Sequence, residues 1–211
     1  MYNVCTYYIV SPQTASRNSG DCTFEENMCS WINLLPQSKV DDFDWLRQYS
    51  FGGVGPITDH TKKTPDGYFI NLSGNVLQPQ RGGTRGWLIS PDFILHPTIP
   101  RCLTFFYYMY ERTIDPAGPS LGSLRVYVRT VTEDNQMRLH LIWRLNNHQS
   151  QRWRQARVPI IFDSKQGAHY QILLEGIWGD GRVGAISVDD ISFFDGTCTG
   201  KYNCLKCSYV T

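Results

Sequence analysis

From Tyr68 to Phe194 apolar and polar residues alternate or bunch into short runs, and Gly, Pro, Asn and Asp separate the runs. Seven segments read this way: Tyr68–Leu72, Leu103–Tyr110, Leu124–Val131, Leu139–Leu145, Trp153–Ile160, Tyr170–Glu175 and Ala185–Phe194. A period of two marks a strand with one buried face. An amphipathic helix needs apolar residues every three or four positions, and that spacing never lasts beyond a turn or two here. The pattern predicts an all-β chain, a two-sheet antiparallel β-sandwich.

Phase assigns faces. Leu124, Val126 and Val128 are expected to point inward, with Arg125, Tyr127 and Arg129 outward. Leu139, Leu141 and Trp143 are expected to repeat the inward phase against Arg138, His140 and Arg144. In the last run Ile186 and Val188 share a phase that Ile191 and Phe193 reverse, which predicts a bulge near Asp189 and Asp190 that re-aims both carboxylates. Residues 32–66, cut by Pro36, Gly52, Gly53, Gly55, Pro56 and Pro65, carry no firm strand signal.

At 211 residues and 41% hydrophobic content the chain can bury one substantial core, so a single domain is expected. A formal charge of +1 gives no overall pull toward nucleic acid or an anionic membrane. No run approaches the ~20 apolar residues of a transmembrane helix, and Met1–Val10 lacks the basic and apolar regions of a signal peptide. Seven cysteines without zinc-type Cys/His spacing nevertheless point to an oxidising compartment. The chain is thus expected to be an extracellular piece of a longer protein, at the cell surface or secreted. Cys5, Cys204 and Cys207 lie at its ends.

Several motifs invite chemistry and fail on context. Gly118–Gly122 fits G-x-S-x-G, but a strand-like run follows where a nucleophile elbow needs a helix. Gly179–Gly184 fits G-x-G-x-x-G, yet strand again follows, so a hairpin turn is the better reading. The five histidines include no H-E-x-x-H, and Cys204-Leu-Lys-Cys207 is half a zinc site. Arg152, Arg154 and Arg157, with Arg144 on the preceding run, form a candidate stripe for sulfated glycans; Trp153 is expected to point the other way, into the core. Asn71-Leu-Ser73 is an N-glycosylation sequon, expected at the surface.

A set of ordered signatures resembles one family. Cys22-Thr-Phe-Glu-Glu-Asn-Met-Cys29 and Trp31 are followed by Asp42-Phe-Asp-Trp45, Asp59-His-Thr61, Gly67-Tyr68 and Leu88-Ile-Ser-Pro91. Cys102-Leu-Thr-Phe-Phe-Tyr-Tyr-Met-Tyr110, Gly122-Ser-Leu124, Trp143, Trp153, Leu174-Glu-Gly176 and Gly184-Ala-Ile-Ser-Val-Asp-Asp-Ile191 complete it, ending at Cys198. In this order and spacing they look like a MAM domain, the module of meprins, neuropilins, receptor-type tyrosine phosphatases and GPI-anchored immunoglobulin-family adhesion proteins. The resemblance covers residues 20–200, leaving 1–19 as leader or linker and 201–211 as a Cys-containing tail or linker. Glu111–Leu121 is a departure, an insertion that makes a candidate interface.

The resemblance implies a jelly-roll sandwich with disulfides Cys22–Cys29 and Cys102–Cys198. Chain entropy gives such bridges roughly 2.5 and about 4.7 kcal/mol. Jelly-roll relatives often hold a structural cation where chain ends meet. By that likeness Glu25, Asp59 and Asp190 are candidate ligands for a calcium or sodium ion; the alternative is that each carboxylate caps a turn. The expected function is a noncatalytic recognition module for adhesion or receptor assembly, binding an extracellular protein or the same domain on another chain. The alternatives are a glycan- or heparin-binding lectin-like module and an accessory domain of a secreted protease.

Overall fold

The computed structural model describes residues 20–34, 41–50, 52–74, 82–94, 99–112, 121–131, 136–162, 169–180 and 184–198. These hold eleven strands: β1 Ile32–Asn33, β2 Leu46–Gln48, β3 Phe69–Gly74, β4 Arg85–Ile89, β5 Phe93–Ile94, β6 Arg101–Glu111, β7 Gly122–Val131, β8 Met137–Asn146, β9 Ser150–Ile160, β10 His169–Trp178 and β11 Gly184–Asp195. All seven alternating runs are strands. The unassigned β4 is buried at four successive positions, so it shows no period of two.

The strands form two sheets, paired antiparallel throughout. One runs β1-β4-β10-β7-β8, with β5 also on β10; the other runs β2-β3-β11-β6-β9. Both are β-sandwich layers of jelly-roll type. Leu124, Val126 and Val128 of β7 meet Leu103, Phe105 and Met109 of β6, together with Ile186 and Val188 of β11, in the shared core. Trp31 and Trp45 are buried in the same core. Each buried indole needs an acceptor, and Nε1 donates to the Gly20 carbonyl at 2.8 Å and the Gly86 carbonyl at 3.1 Å, respectively.

Both staples form, Cys22–Cys29 across 5.9 Å between Cα atoms and Cys102–Cys198 across 5.3 Å. The first holds the N-terminal segment where Cys22 bridges Ile191 of β11. The second ties the start of β6 to the chain just past β11.

Two predicted phases are wrong. In β8 the register with β7 slips between Val126↔Trp143 and Tyr127↔Leu141. A one-residue slip exchanges faces, so Trp143 and Leu145 keep to the core while Leu141 turns out to 47% exposure and Leu139 packs on an outer cluster. In β9 it is Ala156 and Val158 that enter the core. Trp153, on the opposite phase, lies on the outer side.

Gly122 opens β7 at φ +114°, and a Cβ there would lie 2.0 Å from the Ile177 carbonyl oxygen. Gly122→Ala is expected to cost at least about 2 kcal/mol in urea unfolding. An unchanged midpoint would mean that this junction yields freely.

Candidate functional site

On the five-stranded sheet, alternation points Phe69, Asn71, Ser187, Asp189, Phe106 and Tyr108 away from the core. Yet Phe69, Asn71, Ser187, Asp189 and Tyr108 are all buried, because residues 55–61 lie across them. Trp153 Nε1 donates to the Thr58 carbonyl at 2.8 Å, and the Tyr108 hydroxyl donates to the Gly55 carbonyl at 3.4 Å. His60 stacks on Phe106 with ring centroids 3.4 Å apart.

The predicted bulge supplies the clasp. The register of β11 with β6 shifts between Asp189 and Ser192, and Asp190 takes φ +48°. Asp189 Oδ2 then accepts from the His60 N–H at 2.8 Å and the Thr61 N–H at 3.4 Å, while Oδ1 accepts from the Asp190 N–H at 2.8 Å. Asp190 pairs with His60 Nδ1 and accepts from the Thr61 hydroxyl at 2.6 Å. Burial pushes the Asp189 carboxyl up to about 7, against the opposing pull of these N–H donors. Burial likewise pushes the Tyr108 phenol up to about 12.

Loop 59–64 draws the three candidate ligands into one region without converging them on one point. Asp59 accepts from the Lys62 N–H at 2.6 Å and the Thr64 N–H at 2.9 Å, closing its own turn. A Cβ on Gly67 would fall 2.1 Å from the Asp59 carboxyl carbon, so glycine makes that approach possible. Glu25 meets the Lys62 ammonium at 2.6 Å, which holds the lysine above its ordinary range, and Asp190 is engaged by His60 and Thr61. Among the described residues no group of three His, Cys, Asp or Glu is arranged for a metal ion. Asp59 thus closes a turn, and Glu25 and Asp190 pair with side chains.

The other expectations divide. Asn71 is 1% exposed and its Oδ1 accepts from the Ser187 hydroxyl at 2.7 Å, so the sequon is not at the surface and the folded domain has no room for a glycan on it. Arg154 and Arg157 fall on opposite faces of β9, and Arg144 belongs to the other sheet, so the proposed stripe does not form. The insertion Glu111–Leu121 lies mostly outside the described residues, as do Cys5, Cys204 and Cys207. No helix among the described residues is long and apolar enough to cross a membrane.

The outer face of the six-stranded sheet was not anticipated. Register places Trp87, Glu175, Arg125 and Arg144 in one row across β4, β10, β7 and β8. The next row is Ile32, Ile89, Leu173, Tyr127 and Leu141; the third is Gln171, Arg129 and Leu139. Glu175 is only 2% exposed. Trp87 Nε1 donates to it at 2.8 Å, the Tyr127 hydroxyl at 2.9 Å, and Arg85 and Arg125 stand 3.5 Å away. The only sequence signal was the alternation of Arg125, Tyr127 and Arg129.

Two disulfide-stapled layers with structural acids and an arginine-bearing face define an extracellular β-sandwich domain. The chain belongs to the MAM family: the family model "MAM domain, meprin/A5/mu" matches residues 22–199. It is 31% identical to MAM domain-containing glycosylphosphatidylinositol anchor protein 1 of Gallus gallus over 197 residues, 88% of this chain and 18% of that protein. It is 34% identical to Neuropilin-1 of Mus musculus over 139 residues, 66% of this chain and 13% of that one. The chain therefore spans under a fifth of these relatives' length. Its fold is also similar to the K1 cleaved adhesin domain of Lys-gingipain from Porphyromonas gingivalis W83, at TM-score 0.51 and 13% identity over 83% of this chain and 97% of that one.

Two measurements probe the clasp and its neighbours. A carboxyl held near 7 in the fold against 3.8 in the open chain binds its proton more tightly when folded. Its contribution is therefore full below pH ~4 and lost as pH rises to ~7, a change of up to about 4 kcal/mol. Asp189→Asn removes this dependence, so urea unfolding should shift in the variant's favour, relative to wild type, by up to that amount between pH 4 and 8. A constant difference would refute the raised carboxyl. Melting curves taken with EDTA and with added calcium are expected to superimpose; separation would show that a cation competes successfully with Lys62.

Proposed function

We propose that this domain is a noncatalytic recognition module of a longer cell-surface protein, contributing to adhesion or receptor assembly by binding an extracellular protein. The observation that carries the reading is how the half-buried acid–histidine cluster is used. A hydroxyl–histidine–carboxylate relay needs the imidazole between the other two groups. Here His60 and Thr61 both address the Asp190 carboxylate, and the imidazole face is stacked on Phe106. The cluster anchors a loop. Residues 20–200 are read as the module, and residues 1–19 and 201–211 as its connections.

The family's relatives support the same placement, since their names describe anchor proteins and a neuropilin. Beads carrying the chain are expected to adhere to cells and to lose adhesion when the cell surface is stripped with protease. Clumping of the beads with one another would identify a second copy of the domain as the partner. Absence of both, or adhesion indifferent to protease, sinks the reading.

A further inference from the structure

The two outer faces of the sandwich differ. Residues 55–61 roof the five-stranded sheet, whereas the rows of the six-stranded sheet end in exposed side chains at β1 and β8, Ile32 at 60% and Leu141 at 47%. Arg125 and Arg144 are direct cross-strand partners, a like-charge pairing that costs stability unless an anion lies between the two. Glu175 is the one carboxylate in these rows, and it is shared between Arg85 and Arg125. Arg125 Nε is buried without an acceptor, Arg144 is exposed, and Arg129 adds a further positive charge two positions past Tyr127. Among the described residues of this face four arginines, Arg85, Arg125, Arg129 and Arg144, therefore exceed what Glu175 can balance.

We propose that this face binds a sulfated polysaccharide, whose anionic groups are taken by Arg125, Arg129 and Arg144. The proposal rests on the recognition reading only in treating the domain as a noncatalytic binder. Every cation in the rows is arginine, whose planar fork matches sulfate and carboxylate oxygens two at a time. Arg125 and Arg129 stand about 13 Å apart along β7, with Arg144 about 5 Å to the side of Arg125. That is a track for a chain of charges, longer than one anion. A protein partner needs a contiguous exposed apolar centre, but the exposed Ile32 and Leu141 lie on opposite margins of the sheet, roughly 19 Å apart, and Ile89 and Leu173 between them are buried. The site also differs from the one expected on β9, whose Arg152 and Arg157 belong to the other sheet.

The test measures binding of a sized heparin fragment, its fully desulfated counterpart and polyglutamate to the whole chain. Heparin is expected to bind, the desulfated polymer to fail, and the double variant R129Q/R144Q to bind heparin about tenfold more weakly with a melting temperature no lower than that of wild type. Arg125 is spared because its loss would strand Glu175. The β9 pair R152Q/R157Q is expected to bind as wild type. The proposal is overturned if heparin is not bound, if its desulfated form binds equally, or if the β9 variant is the one that loses affinity. Polyglutamate binding as tightly as heparin also overturns it and puts an acidic protein in the polysaccharide's place. Protease-sensitive bead adhesion is read separately, so a negative heparin result leaves the protein-recognition reading standing.

Discussion

Strand β11 runs through the middle of the five-stranded sheet, paired with β3 on one side and β6 on the other, and its slip between Asp189 and Ser192 is the constraint on which that half of the molecule turns. A regular strand would send Asp189 and Asp190 to opposite faces. The bulge and the positive φ at Asp190 instead let both carboxylates address His60 and Thr61, some 130 positions earlier in the chain. Clasping the loop buries Asp189 at an electrostatic cost. The return is a covered aromatic bed of Phe69, Phe106, Tyr108 and Trp153, whose burial offsets that cost.

The roof makes the domain asymmetric. One outer face is closed and given over to holding residues 55–61. The other is bare at its margins and buries a single carboxylate, Glu175, under arginines and hydrogen-bonded rings. A buried carboxylate left alone would be expensive, and here two N–H and O–H donors and two guanidinium groups compensate it. Arg125, which pairs with Glu175, stands beside Arg144 and shares β7 with Arg129, neither of which pairs with Glu175, so positive charge is left on that face.

Individual residues show why some of this was legible in the chain and some was not. Leu124, Val126 and Val128 were placed correctly because a strand's inward phase is local and strongly marked against Arg125, Tyr127 and Arg129. The bulge was legible for the same reason, since Ile186 and Val188 break phase with Ile191 and Phe193. Leu141 was misplaced because the β8 slip adds one residue opposite β7 without leaving a gap in the hydrophobic pattern. Strand β4 was missed because burial on both faces erases alternation. Glu25, Asp59 and Asp190 all lie around the loop 59–64, but their partners, above all the Lys62 ammonium, depend on where that loop folds.

Order along the chain, read alone, determined the class of fold, the inward phase of β7 and the position of the bulge, because each follows from spacing between near neighbours. Tertiary structure decided what lies on the outside of each sheet. Period two sends Asn71 away from the core and says nothing of the loop that then covers it. It sends Arg125 outward and says nothing of Arg144 beside it or Glu175 behind it. Those facts depend on pairing between strands distant in the chain, and no local pattern encodes them.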